Sequence, residues 1–122
     1  MAAPNLVNVT SILGKSVGAA LGTNADTAIL TCASNKVLKI NSVIVANVDG
    51  TNSANLTVKF HDSSASTNYR LASTVAVPAD STLVVIGKDS PIYLEESDEI
   101  RAGADNASDL EIVISYEELD DA

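Results

Sequence analysis

Residues 37–60, VLKINSVIVANVDGTNSANLTVKF, decide the fold, because two runs patterned as strands flank a polar segment. In the second run, apolar residues occupy every other position from Ala54 to Phe60, and polar residues lie between them. This period of two places one face of a strand on a core and the other in water. The stretch is therefore predicted to form a β-hairpin, with the segment DGTNS, residues 49–53, as its loop.

The first run carries apolar residues on both of its faces. One face carries Leu38, Ile40, Ile44, Ala46 and Val48. The other face changes midway from polar residues, Lys39 and Asn41, to apolar residues, Val43 and Val45. A strand that is buried on both faces lies inside its sheet, so this strand is predicted to be central.

Short runs of the same kind recur along the rest of the chain, separated by turn residues and without a helical period. Strands are predicted at residues 5–14, 26–32, 68–77, 81–86, 92–94, 100–102 and 110–116. Such spacing is typical of antiparallel sandwiches. We therefore expect an all-β fold, a single antiparallel β-sandwich of about eight strands. The pattern leaves jelly-roll-like and immunoglobulin-like connectivity open.

Residues 1–22 are predicted to form an N-terminal arm ahead of the sandwich domain, residues 23–122. Within the arm, Gly18 and Gly22 disfavour a helix, so residues 15–21 are predicted to be irregular or an edge strand. Small side chains let another backbone approach closely, which predicts contacts with neighbouring subunits. The predicted contact residues are Asn5, Leu6, Val7, Val9, Ile12, Val17 and Leu21 in the arm, and Asp49, Gly50, Thr51 and Asn52 in the loop.

Composition and charge disfavour several classes of partner. The chain has 122 residues, a net charge of −9 and a pI near 4.2, which opposes binding to nucleic-acid phosphates. Cys32 is the only cysteine, so an intrachain disulfide is excluded, and burial as a small apolar side chain is expected. Neither a secretory leader nor an apolar run long enough for a membrane span is found in the sequence, and a soluble protein is expected.

Motifs for chemistry are weak. Residues 14–16, GKS, echo the end of a phosphate-binding loop, but Val9 stands where that motif needs its first glycine. His61 is followed by Asp62 and Ser63, yet contiguous residues cannot form the relay of a hydrolytic triad. No catalytic or cofactor-binding residue is predicted.

Acidic residues are grouped in two places, residues 95–99 (EESDE) and the tail at residues 117–121 (EELDD). Carboxylates are ligands for Ca²⁺ and Mg²⁺, but neither group has the spacing of a known calcium loop. A solvated loop and a solvated tail are the favoured interpretation, so no metal site is predicted.

Four segments carry a resemblance to a known group of proteins: VANVDGT, VPADSTLVV, PIYLEESDEIRA and the closing ISYEEL. With these motifs, residues 31–119 resemble small virion structural proteins of tailed bacteriophages, especially those of marine cyanobacterial phages. The resemblance implies a β-sandwich subunit without enzymatic activity or cofactor, repeated in the particle and assembled in the host cytoplasm. It implies binding to the major capsid protein or other virion proteins, and a homo-oligomer in the particle.

Within that class a capsid decoration or cement protein is expected, because an acidic exterior suits the outside of a shell packed with DNA. A neck, tail or fibre-attachment subunit is the alternative. A carbohydrate-binding module would need aromatic platforms, and the chain has only Phe60, Tyr69, Tyr93 and Tyr116. A hydrolase or isomerase would need polar groups converging on a pocket, with His61 as the only ordinary base near neutral pH.

Overall fold

Residues 9–120 are described in a computed structural model, and they form nine β-strands without a helix. The strands are β1 (Ser11–Ala20), β2 (Ala28–Thr31), β3 (Lys36–Asn47), β4 (Ala54–Asp62), β5 (Thr67–Val77), β6 (Thr82–Ile86), β7 (Ile92–Leu94), β8 (Glu99–Ala104) and β9 (Leu110–Asp120). The predicted all-β sandwich is confirmed. Of the predicted segment 5–14, only the part from Ser11 onward lies in β1, and residues 5–8 are outside the described part.

Two antiparallel sheets form the sandwich. One has the order β1-β9-β3-β6, with β7 also pairing with β3, and the other has the order β2-β8-β4-β5. The pairs are nested, because β1 pairs with β9, β2 with β8, β3 with β6 and β7, and β4 with β5. The first half of the chain therefore pairs with the second half as one long antiparallel ribbon, and the paired strands are divided between the two sheets. This is jelly-roll connectivity rather than immunoglobulin connectivity.

The predicted hairpin of residues 37–60 is wrong. Both of its arms are strands, but β3 lies in the first sheet and β4 in the second, and they do not pair. The segment between Asn47 and Ala54 crosses from one sheet to the other. An alternating pattern identifies a strand without naming its partner, and the main partner of β3 is β9, near the other end of the chain.

β3 is central, as predicted, but it is not buried on both faces. Its register against β9 shifts between Ile40 and Ser42, which leaves Asn41 as the extra residue of a bulge. Before the bulge, Leu38 and Ile40 point into the core; after it, the inward residues are Val43, Val45 and Asn47. An added residue reverses the faces of a strand, so Ile44, Ala46 and Val48 lie on the outer face instead of the predicted inner one.

A second irregularity lies in β5. Its register against β4 shifts between Leu56 and Val58, and Thr74 has a φ of 52°. Ala72 and Val77 are buried on either side of this point, while Val75 is exposed. Tyr69, Val75 and Val77 nevertheless lie opposite Phe60, Leu56 and Ala54, so they share the inner face as predicted. Only Leu71, at a further register shift between Val58 and Lys59, leaves the predicted alternation.

The core lies between the sheets and is built from aliphatic side chains. The inward residues of β9, Leu110, Ile112 and Ile114, are fully buried, as are Leu56 and Val58 of β4. These alternations were predicted correctly. Burial of apolar area at about 25 cal/mol per Å² is the main stabilising contribution here.

Candidate interaction surface

The four edges of the two sheets differ in how well they are protected. β2 has four residues and a register shift, and β6 has five residues beside another shift. β5 carries the bulge at Thr74. β1 runs for ten residues against β9 without any shift. Short length and bulges are the usual means of preventing edge-to-edge association, and β1 has neither.

The backbone of β1 offers hydrogen-bonding groups on its open side. The Leu21 N–H donates to the Leu110 carbonyl at 2.8 Å, and the Leu21 carbonyl accepts from the Ser108 N–H at 2.9 Å. In an antiparallel pair, alternate residues direct both backbone groups to the partner strand. Odd-numbered residues of β1 therefore face β9, and the residues between them present N–H and C=O groups outward: Ile12, Gly14, Ser16, Gly18 and Ala20.

The side chains of these same residues lie on the outer face of the sheet, and they make a surface of uneven height. Ile12 is 57% exposed, whereas the positions toward the other end of β1 are glycine or alanine. There the small residues leave a shallow depression of about 320 Å³, lined by Gly18, Ala19, Ala20, Glu111, Ile112 and Val113. One strand thus carries both a protruding apolar side chain and a recess.

The outer face continues as an apolar row beyond β1. Gly18 lies opposite Val113, which lies opposite Ile44, which in turn lies opposite Val84. Val113, Ile44 and Val84 are all exposed. This row does not follow from the sequence pattern, because the bulge at Asn41 exchanges the faces of β3.

β1 carries a single charged residue, and that charge is held by an ion-pair network at the end of the sheet. Lys15 Nζ lies 3.1 Å from Glu118 Oε2, and Lys36 Nζ lies 3.3 Å from the same oxygen. Asp120 Oδ2 is 3.4 Å from Lys36 Nζ. The network joins β1, β9 and β3. Residues 14–16, the GKS segment, lie within β1 and pair regularly with β9. They do not form a loop that could bind a phosphate.

Protonation equilibria reflect this network. The hydrogen bond from Lys15, followed by that from Lys36, lowers the pKa of the Glu118 carboxyl below its ordinary value of 4.5, against the opposing effect of burial. Hydrogen bonds to Glu118 and Asp120 raise the pKa of Lys36 above its ordinary value.

The loop at residues 49–53 is preformed around a buried amide. Asn47, 3% exposed, donates through Nδ2 to the carbonyls of Asn52 (3.0 Å) and Val77 (2.8 Å), and its Oδ1 accepts from the Asp49 N–H. The Asp49 carboxylate in turn accepts the Thr51 N–H at 2.9 Å, and this bond lowers the pKa of Asp49. Gly50, Thr51 and Asn52 are exposed at the tip.

The role of Asn47 does not follow from the sequence pattern, because the bulge at Asn41 decides which face residue 47 occupies. An asparagine two residues before the turn residues Asp49 and Gly50 was the available signal.

The structure places the predicted arm residues in different environments. Ile12 lies on the open edge of the outer face, while Val17 is half-buried and points toward the core. Leu21 is 2% exposed and packs in the core of its own chain, so its side chain is not available to a neighbour. Val9, just before β1, is half-buried. Asn5, Leu6 and Val7 lie outside the described residues.

Within the described residues, the predicted arm is part of the sandwich and does not extend away from it. Residues 11–20 form an edge strand of the first sheet, which is one of the two predicted alternatives. The strand pairs with β9 along its full length.

His61 lies on the outer face of the second sheet, and its Nδ1 is 2.8 Å from Asn68 Oδ1. Asp62 accepts hydrogen bonds within its own turn, from Ser64 Oγ and the Ala65 N–H. The Ser63 N–H donates to Asp98. The three consecutive residues therefore bind three different partners, and the geometry does not assemble them into a relay.

Asp98, the inward member of the acidic segment, is a structural residue. Its buried carboxylate accepts the N–H groups of Ser63 and Glu95, each at 3.0 Å, and its own carbonyl accepts the Cys32 N–H. Among residues 9–120, no three His, Cys, Asp or Glu side chains are grouped so that they could hold a metal ion. Burial raises the pKa of the nearby Cys32 thiol to about 11, which keeps it protonated and unreactive at neutral pH.

The exposed aromatic rings are Tyr69 and Tyr93. Tyr69 stacks on Phe60 with ring centroids 6.3 Å apart, in the second sheet, whereas Tyr93 lies on β7 in the first sheet. The two exposed tyrosines therefore do not lie side by side on one sheet as a sugar-binding platform would require.

Within residues 9–120 no helix is present that could cross a bilayer. No family model, curated protein or solved structure matches the chain.

Proposed function

We propose that this chain is a non-enzymatic structural subunit of a bacteriophage particle, a capsid decoration or cement protein that binds the outer shell and stabilises adjacent capsomers. The major capsid protein is its partner in this proposal. The observation that carries the role of a structural subunit is the ten-residue edge of β1, which among residues 9–120 pairs only with β9, since such an edge is suited to strand addition from a neighbouring subunit.

The architecture agrees with this role. Jelly rolls form the capsid proteins of many viruses, but the same fold also serves lectins and cupins, so the fold by itself does not assign the function. The sequence resemblance to phage virion proteins adds the particle as the location. The net charge of −9 suits an outward-facing subunit that is kept away from packaged DNA.

The loop at residues 49–53 is the proposed contact with the shell. Asn47 and Asp49 hold its backbone in one conformation before binding, which reduces the entropy lost on association. Repetition of this modest contact over many copies strengthens attachment through multivalency.

Quantitative mass spectrometry of purified particles tests the function. A decoration protein is expected at hundreds of copies per particle, while a ring of roughly six to twelve copies would place the subunit in the neck, in line with cyclic symmetry. Absence from the particle would overturn the proposal.

Point variants test the contact better than truncation through Leu21, because Leu21 is part of the core. Thr51→Arg adds a bulky charge at the loop tip and keeps the backbone N–H that Asp49 accepts. Ala65→Arg is the matched control, since this exposed residue lies in the turn between β4 and β5 and its N–H also bonds to a carboxylate. Thr51→Arg is expected to lower occupancy on the shell at least tenfold, and equal occupancy of the two variants would contradict the assigned contact.

A further inference from the structure

We propose that two copies of this chain form a dimer by antiparallel pairing of β1 with β1 of the second copy, about a two-fold axis at Ser16. This inference rests on the proposed function, which holds that the arm contacts a neighbouring subunit. The dimer identifies that neighbour as a second copy of the chain. The sheet that contains β1 in one copy would join the same sheet of the second copy, and the two would form one continuous sheet across the axis.

The free backbone groups limit the registers that such a pair can adopt. Because the outward N–H and C=O groups belong to even-numbered residues of β1, hydrogen-bonded pairs must join two even-numbered residues. An axis at Lys15 would set the two Lys15 side chains directly opposite each other, and like charges in that position are destabilising. An axis at Ser16 avoids this contact and overlaps nearly the whole strand.

In the Ser16 register the strand is complementary to itself in size. Ile12 lies opposite Ala20 of the second copy, Gly14 opposite Gly18, and Ser16 opposite Ser16. The one large residue that β1 places on the outer face, Ile12, thus meets a small residue. On the inner face the same relation places Leu13 opposite Ala19.

The recess on the outer face fits this arrangement. Ile12, 57% exposed in the single chain, would lie beside Ala20 and Gly18 of the second copy, where the depression of about 320 Å³ is located. The two-fold axis repeats this contact, so that each copy contributes one isoleucine and one recess. An interface that uses the same surface on both copies closes as a dimer instead of growing into a filament.

Charge also favours a second copy at this edge. β1 contains no Asp or Glu, although the whole chain carries 16 acidic residues. Two strongly acidic molecules repel less where the strands that pair carry no carboxylate, and Glu111 of β9 is the acidic residue of the recess. The one cation, Lys15, is occupied by Glu118 of its own chain at 3.1 Å.

Sedimentation equilibrium of the full chain tests the dimer. We expect twice the chain mass of 12.6 kDa at micromolar concentration. Ile12→Glu is expected to weaken the dimer at least a hundredfold, while Val84→Glu, at a position 59% exposed on the other edge of the same sheet, leaves it intact. A monomeric wild-type protein, or equal dissociation by both variants, would overturn the proposal.

Cysteine cross-linking tests the register. Cα atoms of a hydrogen-bonded antiparallel pair are about 5.5 Å apart, which a disulfide spans, so Ser16→Cys is expected to give a covalent dimer on mild oxidation. Gly14→Cys is the control, because residue 14 is displaced from its copy by four residues, roughly 13 Å along the strand. Cys32 is buried and gives no background. Cross-linking of Gly14→Cys but not of Ser16→Cys would overturn the register.

The two proposals fail separately. A monomer in solution that is nevertheless abundant in purified particles would overturn the dimer alone. A dimer that is absent from particles would overturn the function alone. If β1 cross-links to a strand of a different protein and no homodimer forms, that protein binds the edge, and the proposal that a second copy binds there is wrong.

Discussion

Gly103, in β8, packs against the segment that leads into β2. A Cβ built at this residue would be 2.7 Å from both the Cα and the N of Ala25 and 2.9 Å from the carbonyl carbon of Asn24. These are backbone atoms, so they cannot move aside as a side chain would. Gly103→Ala is expected to lower the free energy of unfolding by roughly 1–3 kcal/mol in urea denaturation. Gly22→Ala, with nothing within 4 Å of its added Cβ, should unfold like wild type; equal loss from both would contradict the close approach.

Thr74 has left-handed backbone geometry, with φ at 52°, which is unfavourable for a β-branched residue. Its side chain is exposed, and its N–H, which donates to Thr57 Oγ1 at 3.1 Å, would be kept by glycine. Thr74→Gly is therefore expected to raise the free energy of unfolding by roughly 0.5–1 kcal/mol. At the neighbouring Ser73, where φ is not positive, glycine should have the opposite effect. A midpoint of thermal unfolding that falls in both variants would argue against strain at Thr74.

Asn47 determines the shape of the loop at residues 49–53. Asn47→Ala would remove both donors that Nδ2 provides and leave the Val77 carbonyl without its amide partner. A loss of about 2 kcal/mol in the free energy of unfolding is expected. Hydrogen exchange at the Asp49 N–H should also become faster, because its acceptor is gone. Asn52→Ala is the control, since that exposed side chain reaches Asp49 only at 3.4 Å.

At the scale of strands, the ion-pair network makes the attachment of β1 depend on pH. The pKa of Glu118 is lowered in the folded chain, so its contribution is fully present above the ordinary value of 4.5 and is lost as the pH falls through the lower, folded value. Glu118→Gln is expected to cost about 1 kcal/mol at pH 7, a modest effect because both lysine side chains are partly exposed to water, Lys15 by 42% and Lys36 by 29%.

The measurement is the urea midpoint of wild type and Glu118→Gln between pH 7 and pH 3. The difference between the two proteins should shrink below pH 4.5. Glu117→Gln serves as the control, since Glu117 lies 3.8 Å from Lys39 and is more exposed. A difference that stays constant with pH would show that the carboxylate charge is not the cause.

The strands could be predicted from the sequence wherever their alternation is uninterrupted, as in β4 and in β9 from Leu110 to Ile114. The bulge at Asn41 could not be predicted, because apolar residues on both faces look the same whether a strand is doubly buried or changes its phase. For the same reason, neither the outer-face row of Ile44, Val84 and Val113 nor the anchoring role of Asn47 could be predicted from the sequence.

At the scale of the whole molecule, the partners of each strand are nested rather than consecutive. β1 pairs with β9 and β2 with β8, and no local pattern encodes contacts over such sequence distances. The apparent hairpin of residues 37–60 is instead the crossing between sheets. The position of β1 as an open edge follows only from this long-range order. The sequence therefore predicts contacts for this segment but does not decide between an irregular segment and an edge strand whose alternate residues face outward.

Net charge acts on the molecule as a whole and should control the proposed dimer. Each copy carries −9, and the Debye length falls from about 30 Å at 0.01 M salt to about 8 Å at 0.15 M. Because the paired strands lack carboxylates, salt screens repulsion without weakening the interface. The dissociation constant measured by sedimentation should therefore fall severalfold across this range.

The control for this salt effect is a double variant of two exposed acidic residues, Asp89→Asn with Glu95→Gln. It reduces the net charge from −9 to −7. The double variant should dimerise more tightly than wild type at 0.01 M salt and respond less to added salt, since less repulsion remains to be screened. An affinity that decreases with salt in both proteins would mean that ion pairs across the interface hold the two copies together, and strand pairing through β1 would then be the wrong description.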